Sequence, residues 1–189
     1  MLTLPNFLTL LRIVAVPAFL ILVSDGAFAV ALVLFLGAGI TDAVDGVLAR
    51  LMDSKSTLGA TLDPLADKLL LVSSFVVLTW IGALPTWLFI LVLSRDAVIL
   101  LGYLAIYVFA EPIEVAPTAI GKFNNFNEMF TVGFALITLA RPDVPMGTPN
   151  QVMWYLTGLT AAVSGVHYVY RGLLWFQHHG SPPSPGTAA

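Results

Sequence analysis

The chain contains no cysteine, which excludes disulfides and thiolate metal ligation. Charge is nearly as scarce. Only 10% of the 189 residues are Asp, Glu, Lys or Arg, while 58% are hydrophobic, against about 45–50% in a soluble domain. No basic stripe exists, so nucleic acid is not expected as a partner. There is no Gly-rich phosphate loop, no internal repeat and no soluble second domain. What remains is a series of apolar stretches, several approaching the roughly 20 residues that span a bilayer. They predict an integral, multi-pass membrane protein.

Six spans are expected, at residues 7–23, 27–50, 62–81, 86–109, 119–140 and 151–175. The breaks carry turn chemistry: Ser24-Asp25-Gly26, Gly82 to Pro85, Glu111-Pro112, and Arg141-Pro142-Asp143 through Pro149. Strands are disfavoured, because open sheet edges cannot face lipid and the runs lack the alternation of a barrel. The expected fold class is therefore all-α, a single transmembrane domain over residues 1–177 with a disordered tail at 178–189. Ala27-Phe28-Ala29 resembles a signal-peptide cleavage site. Arg12 lies well inside the preceding stretch, however, and further spans follow at once, so cleavage is not expected. With the N-terminus in the cytoplasm, Arg12, Arg50, Lys55, Lys68, Lys122 and Arg171 fall on or near the cytoplasmic side. Arg141 falls outside and Arg95 lies within the fourth span. Both termini are expected to be cytoplasmic.

One polar island interrupts this chain. Asp42 and Asp45 lie three apart, and Asp63 and Asp67 lie four apart. On helices each pair projects from one face. Intramembrane carboxylates are costly and usually functional, and four together need cations, so the island reads as a divalent-metal site. Hard oxygen ligands favour Mg²⁺ or Mn²⁺ over zinc, and such ions keep positions open for substrate phosphates. A loop of about ten residues would let the two helices lie antiparallel and the pairs converge. Gly46 and Gly59 would let a nucleotide approach the backbone, and Arg50 could contact a phosphate. The structural alternative is that these charges pair across helices for assembly or mark an ion pathway.

The eight fixed positions, D-x-x-D-G-x-x-A-R-x8-G-x-x-x-D-x-x-x-D from Asp42 to Asp67, resemble the signature of the CDP-alcohol phosphotransferases. The opening Leu4-Pro5-Asn6 through Thr9, Leu10 and Arg12 is similar to the phosphatidylglycerophosphate and cardiolipin synthase branches. The resemblance implies a six-span, often homodimeric membrane enzyme of phospholipid biosynthesis. Such enzymes move a phosphatidyl group from CDP-diacylglycerol to an alcohol and release CMP. It further implies that Asp42, Asp45, Asp63 and Asp67 hold the metal, two ions in all, and that Asp67 is also the general base. Asp42, Gly46, Ala49, Arg50 and Gly59 would hold the CDP-lipid.

A second polar set is the candidate for acceptor recognition. Arg95, Lys122 and Arg171 could form a cationic pocket for a phosphate-bearing alcohol. The alternative for Arg95 and Asp96 is a local arrangement that neutralises both charges, and for Arg171 an ordinary cytoplasmic flank. His167, beside Tyr168 and Tyr170, reads as an interfacial belt residue rather than a ligand. Ser94-Arg95-Asp96 and the stretch Pro117-Thr118 to Gly121-Lys122 are more similar to the cardiolipin synthase branch, which points to phosphatidylglycerol as acceptor and cardiolipin as product. Glycerol 3-phosphate, giving phosphatidylglycerophosphate, is the alternative. The chain departs from both branches in carrying Asn125 and Glu128 after Lys122, and Glu128 has no evident use near a pocket for an anion. From another class, a divalent-cation transporter would also place carboxylates in a membrane. It should distribute them across the depth and repeat its halves, neither of which is seen.

Overall fold

A computed structural model describes residues 4–52, 57–109 and 118–179, and their side chains except those of 4–10, 12, 42–52, 57–67, 103, 105–109, 175, 176, 178 and 179. The described chain is all-helical. Its elements are α1 (Leu4–Ser24), α2 (Phe28–Met52), α3 (Thr57–Trp80), α4 (Thr86–Phe109), α5 (Ala119–Ala140) and α6 (Gly147–His179). The six expected helices are present, and several run longer than their apolar cores suggested. α3 begins at Thr57 rather than 62, so the link from α2 is residues 53–56 instead of a ten-residue loop, and Gly59 is a helical residue. α6 continues through His178 and His179, which were assigned to the tail; residues 180–189 lie outside the described residues. These ends are short of apolar residues, so apolar periodicity cannot register them. Among the described residues, no helix is long and apolar enough to cross a membrane.

Two of the turns close in the same way. Gly26 and Gly82 adopt positive φ, 74° and 77°, which glycine tolerates without strain. At the end of α1 the Gly26 N–H donates to Val23 O and the Ala27 N–H to Leu22 O; at the end of α3 the Gly82 N–H donates to Thr79 O and the Ala83 N–H to Leu78 O. This paired pattern satisfies the last carbonyls of a helix while reversing the chain. α5 starts on a cap, the Thr118 hydroxyl accepting from the Gly121 N–H.

α1 packs on α2 and α3, α5 on α2, α3 and α6, and α4 on α3 and α6. The interior is layered along the bundle axis. Phe19, Phe35, Phe75, Leu78, Leu88, Val132, Leu136 and Ala161 form an apolar core in the half remote from the α2–α3 link. Gly158 lets α4 approach α6 there: an added Cβ would stand 2.7 Å from the Trp87 ring, which stacks on Tyr155. Towards the α2–α3 end the buried side chains turn polar: Arg95, Asn124, Asn127, Glu128, Thr131, Thr157 and Ser164.

Candidate active site

The eight motif positions occupy the end of one helix and the start of the next. Asp42, Asp45, Gly46, Ala49 and Arg50 belong to the last turns of α2, and Gly59, Asp63 and Asp67 to the first turns of α3. The link of residues 53–56 keeps both stretches at one end of the bundle. Positions 42 and 45 share a face of α2, and 63 and 67 share a face of α3, as their spacing requires. The side chains of all eight lie outside the described residues. Among the described side chains no group of three or more carboxylates or histidines forms a metal centre.

Immediately beyond Asp67 the described side chains begin, and they form a four-helix charge network. The Lys68 ammonium on α3 donates to both carboxylate oxygens of Asp96 on α4, each at 2.7 Å, and lies 3.9 Å from a Glu128 oxygen on α5. Arg95, only 5% exposed, donates through Nη1 to Asp96 Oδ1 at 2.7 Å and Asn125 Oδ1 at 3.3 Å. Its Nε and Nη2 both donate to the Ser164 hydroxyl on α6 at 3.2 Å, and its guanidinium lies 5.9 Å from the Tyr168 ring centroid. Two basic and two acidic side chains meet here, and their pairing offsets the cost of taking such groups towards the bundle interior.

This arrangement places the residues singled out for the acceptor in two groups. Arg95 is inside, with four of a guanidinium's five N–H groups already used by protein acceptors; the local neutralisation of Arg95 by Asp96 is the arrangement found. Lys122 and Arg171 are exposed and stand outside this network. Glu128, 1% exposed, now has an evident place: Asn124 Nδ2 donates to it at 2.5 Å, and it faces Lys68. Tyr168, the neighbour of His167, has a structural role of its own. Its hydroxyl accepts the Thr118 N–H at 3.3 Å, tying the start of α5 to α6.

The network continues as a polar seam between α5 and α6. Thr160 Oγ1 donates to Asn124 Oδ1 at 2.9 Å, Asn127 Nδ2 donates to Thr160 Oγ1 at 3.3 Å, and the Thr131 and Thr157 hydroxyls lie 2.8 Å apart. Sequence reasoning missed Lys68, Ser164, Tyr168, Thr157 and Thr160 as a set. A signal was available in their spacing: 157, 160, 164 and 168 follow steps of three and four on α6, as 124, 127, 128 and 131 do on α5. Helical positions so spaced share one face.

Beside the motif end, a cavity of about 350 Å³ opens between α1 and α2. Leu11, Val14, Ala15, Ala18, Leu34, Gly37 and Ala38 line it, and it reaches Thr41, the neighbour of Asp42.

The chain is similar to proteins named as cardiolipin and phosphatidylglycerophosphate synthases. It is 34% identical to a probable cardiolipin synthase (CMP-forming) of Drosophila melanogaster, over 88% of this chain and 56% of that protein. It is 34% identical to a probable phosphatidylglycerophosphate synthase of Mycobacterium tuberculosis, over 90% of this chain and 81% of that protein. With a cardiolipin synthase (CMP-forming) of Rattus norvegicus the identity is 32%, over 90% of this chain and 61% of that protein. The chain thus spans little more than half the length of its animal relatives. Residues 2–166, which include the whole aspartate motif and the charge network, match the CDP-alcohol phosphatidyltransferase family, and the chain belongs to that family.

Proposed function

We propose that this chain is a metal-dependent integral membrane transferase that moves a phosphatidyl group from CDP-diacylglycerol to phosphatidylglycerol, forming cardiolipin and CMP. The observation that supports the reading is that both aspartate pairs fall on the ends of α2 and α3 next to residues 53–56, with the polar cluster of Lys68, Arg95, Asp96 and Glu128 following on α3, α4 and α5. Four oxygen donors, with no cysteine or histidine in the motif, fit a hard divalent ion such as Mg²⁺ or Mn²⁺. Asp42, Asp45, Asp63 and Asp67 would hold it, as two ions. Bound there, the metal supplies charge neutralisation for a diphosphate and for the departing CMP.

The chain's own residues do the remaining work. Arg50 contacts the donor phosphates, and Gly46, Ala49 and Gly59 leave the helix surfaces low for the nucleotide. Asp67 accepts the proton of the acceptor hydroxyl as its oxygen bonds to the lipid-bearing phosphorus and the bond to CMP breaks. An Asp titrates near 4 and is a weak base, so the step depends on held geometry. Lys122 and Arg171, both exposed, supply cations for the acceptor phosphate. The apolar cavity between α1 and α2, ending at Thr41, suits an acyl chain of the donor.

A membrane setting is supported by the distribution of side chains. Val33, Ile40, Ile90, Leu100, Leu101, Leu159 and Val166 are exposed on the bundle surface, whereas Asn124, Glu128, Thr131, Thr157 and Ser164 are buried. Large exposed apolar surfaces mark contact with lipid or protein. The helices hold 21 to 33 residues, so even the shortest is about 31 Å long at 1.5 Å per residue, against a hydrocarbon core of about 30 Å. Arg95, Asp96 and Glu128 interrupt the apolar stretches, but they meet one another rather than lipid. We place the active site and both termini in the cytoplasm and expect a homodimer.

Glycerol 3-phosphate is the second reading, favoured by the mycobacterial relative, whose length is the better covered. The deciding experiment supplies purified protein with CDP-diacylglycerol, Mg²⁺ or Mn²⁺, and either phosphatidylglycerol or glycerol 3-phosphate, then identifies the lipid product. Cardiolipin with CMP supports the first reading and phosphatidylglycerophosphate the second. Absence of CMP with either acceptor, and with other alcohols, would overturn both.

A further inference from the structure

We propose that Lys68 is a positioning residue for Asp63 and Asp67, setting the rotation of α3 through the bracket formed by Arg95 and Asp96. The inference rests on the metal-site and base roles proposed for those aspartates. Neighbouring positions on a helix differ by about 100° of rotation, so an anchor at residue 68, added to the buried packing of Leu70, Ser74 and Phe75, helps to fix where positions 67 and 63 face. Lys68 is anchored from both oxygens of one carboxylate, which fixes its direction more closely than a single contact would.

The anchor itself is held. Asp96 receives Arg95 at Oδ1, and Arg95 reaches past it to Ser164 of α6 and Asn125 of α5. Adjacent residues of α4 thus reach different neighbours, Asp96 towards α3 and Arg95 towards α6, while their own side chains pair. The Glu128 carboxylate, held by Asn124, lies 3.9 Å from the same ammonium. Lys68 is one-third exposed while Arg95 is almost fully buried. The chain of contacts therefore runs from a fixed interior to Lys68, the residue that follows Asp67 in α3. A metal site needs this kind of support behind its ligands to hold them in place.

The test uses the full chain, purified in detergent, with Lys68→Met, Lys68→Arg and Asp96→Asn. Mn²⁺ binding is read by titration without substrate, and turnover separately. The lack of cysteine also permits spin labels at Ile40→Cys on α2 and Leu69→Cys on α3, both exposed positions, to report the distance between the helices. Lys68→Met and Asp96→Asn are expected to weaken Mn²⁺ binding and lower kcat by roughly 10- to 100-fold, as loss of a supporting partner does at metal sites. The acceptor KM should stay within about twofold, because no ground-state contact is lost. The label distance should shift or broaden, and Lys68→Arg should restore much of each loss.

Unchanged Mn²⁺ affinity with an unchanged distance distribution would overturn the proposal. So would a raised acceptor KM at constant metal affinity, which would make Lys68 an acceptor contact. If the wild-type protein shows no turnover yet the Lys68→Met effects on binding and distance appear, the transferase reading fails and the positioning role stands. If the wild-type protein binds no Mn²⁺, the metal reading fails and the distance measurement alone decides the role of Lys68.

Discussion

Gly121 on α5 leaves the space that Arg95 of α4 occupies: a Cβ at that position would stand 3.2 Å from Arg95 Nη2, 3.0 Å from the Tyr168 hydroxyl and 3.2 Å from the Thr118 hydroxyl. The missing side chain thus lets three helices meet at one guanidinium. It also connects the N-terminal cap of α5 to the charge network that ends at Lys68.

Gly121→Ala should therefore disturb both the cap and the guanidinium. Overpacking of this kind costs about 1–3 kcal/mol, to be read as a lowered Tm in detergent. Activity should fall with it, since Arg95 cannot retreat without releasing Ser164 or Asp96. An alanine variant with wild-type Tm and turnover would mean that the neighbours yield freely.

Arg95→Ala and Lys122→Ala should separate cleanly. Removing Arg95 takes the donor from Ser164 and Asn125 and leaves Asp96 to Lys68 alone, at a cost of roughly 1.5–3 kcal/mol for the lost charge-assisted hydrogen bonds, so the Tm should drop and turnover with every acceptor should fall alike. Lys122 is exposed, so its removal should leave the Tm in place. The acceptor KM should rise roughly tenfold, the equivalent of ~1.5 kcal/mol for one charge-assisted hydrogen bond. A selective acceptor defect in the Arg95 variant, with normal stability, would instead assign Arg95 directly to the substrate.

Asp67→Asn keeps size and polarity while removing the proton acceptor. Turnover should fall by about 10²–10⁴-fold, the usual range for a lost general base, with CDP-diacylglycerol binding largely kept. Near-normal CMP release would remove Asp67 from the base role.

Chelation of divalent ions should stop CMP release, and Mg²⁺ or Mn²⁺ should restore it. Persistent turnover in chelator, with metal content verified in the same sample, would exclude the four-aspartate site as a metal centre required for the reaction.

Much of this protein was legible in its residues. Six helices follow from apolar runs separated by Gly26, Gly82 and proline-rich breaks, because glycine and proline act locally and need no partner to end a helix. The aspartate motif was legible for the same reason: helical spacing alone puts 42 with 45 and 63 with 67 on shared faces. Helix ends were less so. Thr57 to Thr61 and Gly147 to Asn150 are polar turns whose helicity depends on the rest of the bundle, not on their own hydrophobicity.

Only the tertiary structure decided how the isolated charges combine. The sequence presents Lys68, Arg95, Asp96 and Glu128 at separations of up to 60 residues, and any cation among them could equally have been reserved for substrate. Ion pairing depends on distance in space, and the choice of partners is made by which helices pack together. Packing α4 between α3 and α6 gave Arg95 to Ser164 and Asp96, and gave Lys68 to Asp96 and Glu128. Composition set the cost of burying those charges; the fold settled which of them would bear it together.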